Sequence, residues 1–541
     1  MILSFLEIKT SFITKLFFVL LFAFMPVLLR GQERIMVIAD PHVLSQSLVE
    51  AGSAFDDMMA GQRKMLDISE IAFSALIDTA LAYNPSLVLI PGDLTKDAEL
   101  ASHQAVLAQI NRLASAGINT LLIPGNHDIG GQAYAYRGAE TIAVENLSDG
   151  EWESTYAMVY NQAVSRDSYS HSYVAEPLSG VTVLGIDASH NAGEGSLSPE
   201  TLEWLLAQAD VARAKGNMVI AMCHWQLLEH VDGGGIAVES GRLQDADAIR
   251  DQLMAHGVRL ILTGHVHVNS ISTYRDTISN SGDSIVEIST GSPITYPCPY
   301  RWLTISQDRR SVEVATENLT SLAMHDNLTD YSYEWMKEHT KLILPTLAIR
   351  LFDKAAAVLE KKVEDMMQGQ AMGTMVINML KNSLPQTDTE KQALVEKHLA
   401  STIVDLYLLH SAANEPEHAD ADSLAQAMYA GMDAMVHELT DAVLQYYVPI
   451  QELLIAAVQN ENKEAIQSLV EDRTHWASTN YSDRTDDLHV LLTICDAHPS
   501  TDVEQTLGEE KSGVIYDLLG RPVNGELHHG IYIKSGKKFI K

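Results

Sequence analysis

Five short clusters along the chain bring together side chains that can hold a metal ion: Asp40-Pro41-His42, Gly92-Asp93, Gly125-Asn126-His127-Asp128, His224, and Gly264-His265-Val266-His267. Carboxylate, imidazole and amide oxygen without thiolate suit manganese, iron or zinc as divalent or trivalent ions. Seven of these donors (Asp40, His42, Asp93, Asn126, His224, His265, His267) are too many for one tetrahedral ion. They suit two ions that share a bridging carboxylate, about 3.5–4 Å apart in hydrolases of this kind. Such a pair lowers the pKa of a bridging water, orients an ester and stabilises both its attacking and its leaving oxygen. Taken singly, Asp40 or Asp93 would serve as a turn or cap residue, and His224 as a hydrogen-bonded core histidine. Those separate roles would have to coincide five times over.

What unites the clusters is their position. Ile35–Ala39, Leu87–Ile90, Thr120–Ile123, Met218–Met222 and Leu260–Leu262 are apolar, β-branched runs, and each leads directly into one of the clusters. Val181–Ile186 is a sixth such run, and Ser284 to Glu317 is a β-rich stretch that would complete a sheet. Between the runs lie helix-like segments, Ile68–Ala82, Glu99–Ala116 and Pro199–Lys215, each ending near Gly, Asn or Pro. The alternation predicts an α/β, or layered α+β, domain. Loops at the carboxyl ends of its strands would gather on one edge, where such sheets bind ligands. Gly92, Gly125 and Gly264 would permit tight strand-to-loop turns beside the ions.

In this order, Asp-x-His, Gly-Asp, Gly-Asn-His-Asp, a lone His and Gly-His-x-His resemble the motifs of the calcineurin-like metallophosphoesterases, over roughly Arg34–Asn318. The resemblance implies a four-layer αββα sandwich. It assigns Asp40, His42 and His267 to one ion, Asn126, His224 and His265 to the other, and Asp93 to the bridge. His127 would face the substrate, protonating the leaving oxygen or stabilising phosphoryl charge. Asp128 would either orient His127 or cap its loop. The implied activity is hydrolysis of a small phosphate ester by water activated at the two ions. The alternatives are a nucleotide or lipid-headgroup pyrophosphatase or phosphomonoesterase, and a surface scaffold with a vestigial metal domain. Gly92-Asp93-Leu94-Thr95-Lys96-Asp97 and the stretch Thr290-Gly291-Ser292 through Tyr296-Pro297 to Tyr300-Arg301 look like the cyclic-nucleotide and glycerophosphodiester phosphodiesterase branch. In that reading Arg301 approaches a phosphate and Tyr296 or Tyr300 stacks on a base; in the other they belong to a surface loop.

The rest of the 541 residues sets the context. With 46% hydrophobic and 20% charged residues the chain is that of a folded protein, and its length suggests several domains. A net charge of −34 with no long basic run argues against nucleic-acid polymers and anionic membranes as main partners. Lys9 and Lys15 precede an apolar run, Leu16 to Leu29, that is short for a membrane span and suits a signal peptide over 1–31. The phosphoesterase domain is placed at 32–325, a helical accessory domain at 330–495 and a small β tail at 503–541. Helical stripes are expected at Ile343–Met367, Ala393–Leu409, Leu424–Leu444 and Pro449–Val458. The tail, from Val514-Ile515-Tyr516 to Gly536-Lys537-Lys538, is similar to C-terminal sorting domains of the bacterial type IX secretion system. It implies that secretion machinery is a partner, with export to the periplasm, cell surface or medium.

Overall fold

Alternation with period two organises the core of the computed structural model. Along Met218–Cys223, Met218, Ile220 and Met222 join one apolar cluster while Val219, Ala221 and Cys223 join another on the opposite face. Such a strand is covered on both sides, and it therefore reads as one unbroken apolar run. The described residues are 33–190, 193–230, 241–276, 283–342 and 384–411, isolated helical positions between 345 and 438, and strand segments at 481–483, 489–494, 515–516, 531–534 and 537–540.

In chain order the strands are Glu33–Val37 (β1), Leu87–Ile90 (β2), Asn119–Leu122 (β3), Tyr134–Arg137 (β4), Glu140–Ala143 (β5), Ala163–Arg166 (β6), Tyr173–Leu178 (β7) and Val181–Ile186 (β8). They continue with Met218–Cys223 (β9), Leu260–Thr263 (β10), Ser270–Arg275 (β11), Ser284–Ser289 (β12), Pro299–Ile305 (β13), Ser311–Asn318 (β14), Tyr481–Asp483 (β15) and His489–Thr493 (β16). One sheet has the order β16-β14-β13-β1-β2-β3, and the other β15-β11-β12-β10-β9-β8-β7-β6. β1, β2 and β3 run parallel, as do β8, β9, β10 and β12. The shared interior holds Ile35, Val37, Leu89, Ile220, Leu262 and Ile288.

Helices cover the outer faces. Ser53–Ala60 (α1) is followed by Ser69–Tyr83 (α2) and Leu100–Ser115 (α3), which bury Phe73, Leu76, Ile77 and Ala80, and Val106, Ile110 and Leu113, at helical spacing. Asn84 closes α2 in the left-handed conformation just before Pro85. Pro199–Ala214 (α4), capped by the Ser198 side chain, and Ala246–Ala255 (α5) contribute Leu205, Ala209, Ile249 and Leu253 to the second cluster. Helix, sheet, sheet, helix is the four-layer sandwich.

Beyond residue 325 come Leu328–His339 (α6) and Asp388–Ser411 (α7), the latter containing the stripe expected at Ala393–Leu409. The expectation of helix through to residue 495 needs one correction. β15 pairs antiparallel with β11 and β16 with β14, so each sheet gains an edge strand from this region. A short apolar stretch such as Val490-Leu491-Leu492 fits either element, and the unpaired edge groups of the sheets decide for strand. The 1–31 leader, the Pro449–Val458 stripe and most of the Ile343–Met367 and Leu424–Leu444 stripes lie outside the described residues. The chain divides into Met1–Asp496 and Ala497–Lys541, and the second unit contains a three-stranded antiparallel sheet of Ile515–Tyr516, Ile531–Lys534 and Lys537–Ile540.

Candidate metal centre

Because β1, β2 and β3 point the same way, their carboxyl ends place Asp40, His42, Asp93 and Asn126 on one edge of the first sheet. β9 and β10 do the same for His224, His265 and His267 in the second. Two bonds join the two edges: the amide of His265 donates to Asp40 Oδ1 (2.9 Å) and Ser292 Oγ to the Asp40 carbonyl (2.7 Å), while within the second edge the amide of Gly264 donates to the His224 carbonyl (3.1 Å). Asp40, His42, Asp93, His265 and His267 all sit at positive φ, between 40° and 68°. For side-chain-bearing residues this costs about 1 kcal/mol or more each. Strain concentrated on five candidate ligands marks a site that the surrounding fold holds in place.

The donors form two overlapping groups, Asp40–His42–Asp93–His267 and Asp93–His224–His265, with the ligand atoms of each group within 4.8 Å of one another. Asp93 Oδ2 is 3.3 Å from His42 Nε2 and 3.3 Å from His224 Nε2. His42 Nε2 lies 3.0 Å from His267 Nε2, and His224 Nε2 lies 3.1 Å from both Asn126 Oδ1 and His265 Nδ1. Asp40 Oδ2 is buried and has no hydrogen-bond donor among the described residues. A buried carboxylate oxygen in that state is costly unless a cation meets it. The approach to these carboxylates is close. A Cβ on Gly125 would stand 2.2 Å from Asp93 Oδ1, and one on Gly264 2.3 Å from Asp40 Oδ2. The residues present therefore fit two ions bridged by Asp93.

Burial and the charges gathered in the cluster set the protonation of each donor. Burial raises Asp40 to about 8, with His224 opposing and Asp93 reinforcing the shift. Burial also acts to raise Asp93, but the charges of His224, His42 and His127 outweigh it and hold its carboxyl well below the ordinary range. Burial lowers His42 and His267, and the Lys64 charge lowers both further, so both rings are neutral, the form that ligates a metal. His224 is pushed down by burial but raised more strongly by Asp93 and Asp40, to about 9.

His127 is half-buried beside the cluster, its ring centroid 5.0 Å from that of His42. Its amide donates to Asp93 Oδ1 (3.0 Å), and its Nδ1 lies 2.8 Å from Asp97 Oδ1. Asp97, which Lys96 grips from the other side, is thus the residue that orients His127. Asp128 is instead the loop cap. Its Oδ2 accepts from the amides of Gly125 (2.8 Å) and Leu94 (3.0 Å), and its Oδ1 from the amide (2.9 Å) and hydroxyl (3.1 Å) of Thr95. It ties the Asp93 turn to the Asn126 loop.

The structure does not bring Tyr300 and Arg301 to the site. Both lie on β13, an interior strand between β1 and β14; Arg301 is fully buried opposite Val37 and Thr316, and Tyr300 donates to Glu317 (2.5 Å). A strand sealed on both faces leaves neither side chain free to reach a substrate. Tyr296 is half-buried and packs edge-on against Tyr333 at 5.4 Å. Two residues at the site carry no motif signal. Lys64 Nζ lies 3.4 Å from His42 Nδ1. Glu287, fully buried on β12, accepts from the amides of Leu227 (2.9 Å) and Leu228 (2.6 Å) and from Thr263 Oγ1 (2.6 Å).

Residues 33–269 match the family model described as calcineurin-like phosphoesterase, and both groups of candidate metal donors lie within the matched span. Among solved structures it is similar to a dimetal phosphatase from Danio rerio, at 14% identity over 53% of this chain and 96% of that one, with a TM-score of 0.38. A purple acid phosphatase from yellow lupin (Lupinus luteus) seeds is 13% identical over 53% of this chain and 52% of that one, with a TM-score of 0.36. A phosphopantetheinyl hydrolase from Mycobacterium tuberculosis is 12% identical over 48% and 90%, with a TM-score of 0.24. No curated protein matches the chain.

Proposed function

We propose that this protein hydrolyses a small phosphate ester, a phosphodiester by preference, with two manganese, iron or zinc ions held by Asp40, His42, Asp93, Asn126, His224, His265 and His267. The observation that carries this reading is the overlap of two ligand groups at one carboxylate, Asp93. Ions bound there supply Lewis acidity, which acidifies water and offsets charge on phosphoryl oxygens. The chain's own contribution is orientation and a proton. Asp97 holds Nδ1 of His127, which leaves Nε2 to serve the ester's leaving oxygen as general acid. The turn Gly92 to Asp97, with its likeness to cyclic-nucleotide and glycerophosphodiester phosphodiesterases, supports the diester preference. The apolar leader and the sorting-like tail support delivery beyond the inner membrane of a bacterium. No described helix is long and apolar enough to cross a membrane.

The test is metal content and turnover measured together on the chain from Gln32. Two ions per chain, with metal-dependent hydrolysis of bis(p-nitrophenyl) phosphate faster than that of p-nitrophenyl phosphate, is the expected result. A faster monoester would overturn the diester preference alone. A folded protein that takes up no metal and cleaves neither ester would leave a surface binding protein as the better reading.

A further inference from the structure

Lys64 lies between the first and second ligand motifs, outside both, yet its ammonium reaches the centre. Nζ is 3.4 Å from His42 Nδ1, the ring nitrogen opposite the one that faces the ligand cluster. Burial lowers its pKa from the ordinary lysine value while the charges of Asp93 and Asp97 oppose that shift, and its own charge acts on Asp40, His42 and His267. Among the described residues no carboxylate lies within ion-pair distance of Lys64, and His42 is the side chain within hydrogen-bond distance of it.

The backbone around this cation is fixed. The indole N–H of Trp335, on α6, donates to the Arg63 carbonyl (3.1 Å), and the Met65 amide donates to the Ile294 carbonyl (2.9 Å). Met65, Leu66 and Ile68 are sunk in the core, and Tyr331 on α6 donates to Asp67 (3.4 Å). The backbone that carries Lys64 is thus pinned on both sides.

A half-buried cation without a counter-ion, set beside a site built for two metal cations, is electrostatically unfavourable on its own. An anion bound at the same place would relieve it. We propose that Lys64 is a substrate-binding residue of this centre, giving a charge-assisted hydrogen bond to a non-bridging oxygen of the phosphoryl group, with α6 as the strut that holds it there. The proposal rests on the phosphoesterase reading above and adds a recognition element from outside the ligand motifs.

The experiment compares Lys64→Met, which keeps the stem and removes the charge, with Lys64→Arg in the metal-loaded full chain. Inorganic phosphate is titrated by calorimetry, and KM and kcat are measured on p-nitrophenyl phosphate. Losing one charge-assisted hydrogen bond should weaken phosphate binding and raise KM by about 10- to 100-fold in Lys64→Met. Lys64→Arg should recover part of both, and metal content by elemental analysis should equal that of the parent in both variants. Phosphate affinity and KM unchanged in Lys64→Met would overturn the assignment, and so would a loss of bound metal, which would make Lys64 a support for His42. A parent chain that binds neither metal nor phosphate would instead overturn the phosphoesterase reading.

Discussion

His127 and Asp128 are adjacent in sequence and do different work. His127 is held by Asp97 at the edge of the ligand cluster, whereas Asp128 is enclosed among four donors of two loops. His127→Ala should keep both ions and slow turnover by about 10²–10⁴-fold. Asp128→Asn, which turns an amide N–H₂ toward backbone N–H groups, should act first on stability, by about 1–3 kcal/mol. Metal analysis, steady-state rates and thermal melts on the two variants separate these effects; a fully active His127→Ala would show the proton donor to be misassigned. The same scale carries a pH dependence. In the metal-free fold Asp40 is raised from 3.8 to about 8 and His224 from 6.5 to about 9. The folded chain therefore binds protons that the unfolded chain has already released. The stability this gives is present below the unfolded values and is lost as pH rises through the folded ones. Bound metal needs both groups deprotonated, so its affinity climbs over the same range. The rise in Tm on adding manganese to chelator-treated protein should be larger at pH 8.5 than at pH 6.5, and an equal or smaller rise would contradict it.

At the scale of elements, β12 supplies no ligand yet holds two loops that do. Through Glu287 it grips Leu227 and Leu228, just after His224, and Thr263, just before His265. His230, at 3.3 Å from Glu287 and 2.8 Å from Ser270 Oγ, extends this support past His267. Groups that orient ligands in this way typically matter about 10- to 100-fold for metal affinity. Glu287→Gln keeps an oxygen for the amides of Leu227 and Leu228 but removes the charge and turns an N–H₂ toward Thr263 Oγ1, reversing that hydrogen bond. The variant should bind its second ion about tenfold more weakly, on the Asn126–His224–His265 side, while retaining the first. Calorimetric titration with manganese reads this directly, and two unchanged binding steps would reduce Glu287 to a packing role.

Over the whole molecule, the metal-site loops end at Cys298, but the sandwich does not. α6 braces the Arg63–Met65 segment, and β15 and β16 close the sheet edges from nearly 200 residues further on. A chain truncated near Asp330 should therefore lose stability and lower its Tm as well as weakening phosphate binding. One ending at Asp496 lacks only the separate C-terminal unit, which carries no candidate ligand among the described residues, and should keep two ions and full turnover. Loss of turnover in the longer truncation product would assign that unit a part in the active chain.

The candidate donors were legible because each motif is local: an apolar strand, a turn that needs glycine, and a donor within a few residues. Period and composition were enough to place β2 and β8 at the boundaries read for them and to predict the layered α/β class. What sequence could not carry were contacts between distant segments. Lys64 with His42, Asp97 with His127, and Glu287 with Leu228 are separated by 22, 30 and 59 residues, and no spacing rule links such pairs. Tyr300 and Arg301 looked available because a polar strand reads like a loop until its neighbours are known. Only the pairing of β13 with β1 and β14, and the packing over both its faces, decided that they are enclosed. Local backbone chemistry thus determined which residues could meet a metal, and long-range packing decided which others would hold, orient or assist them.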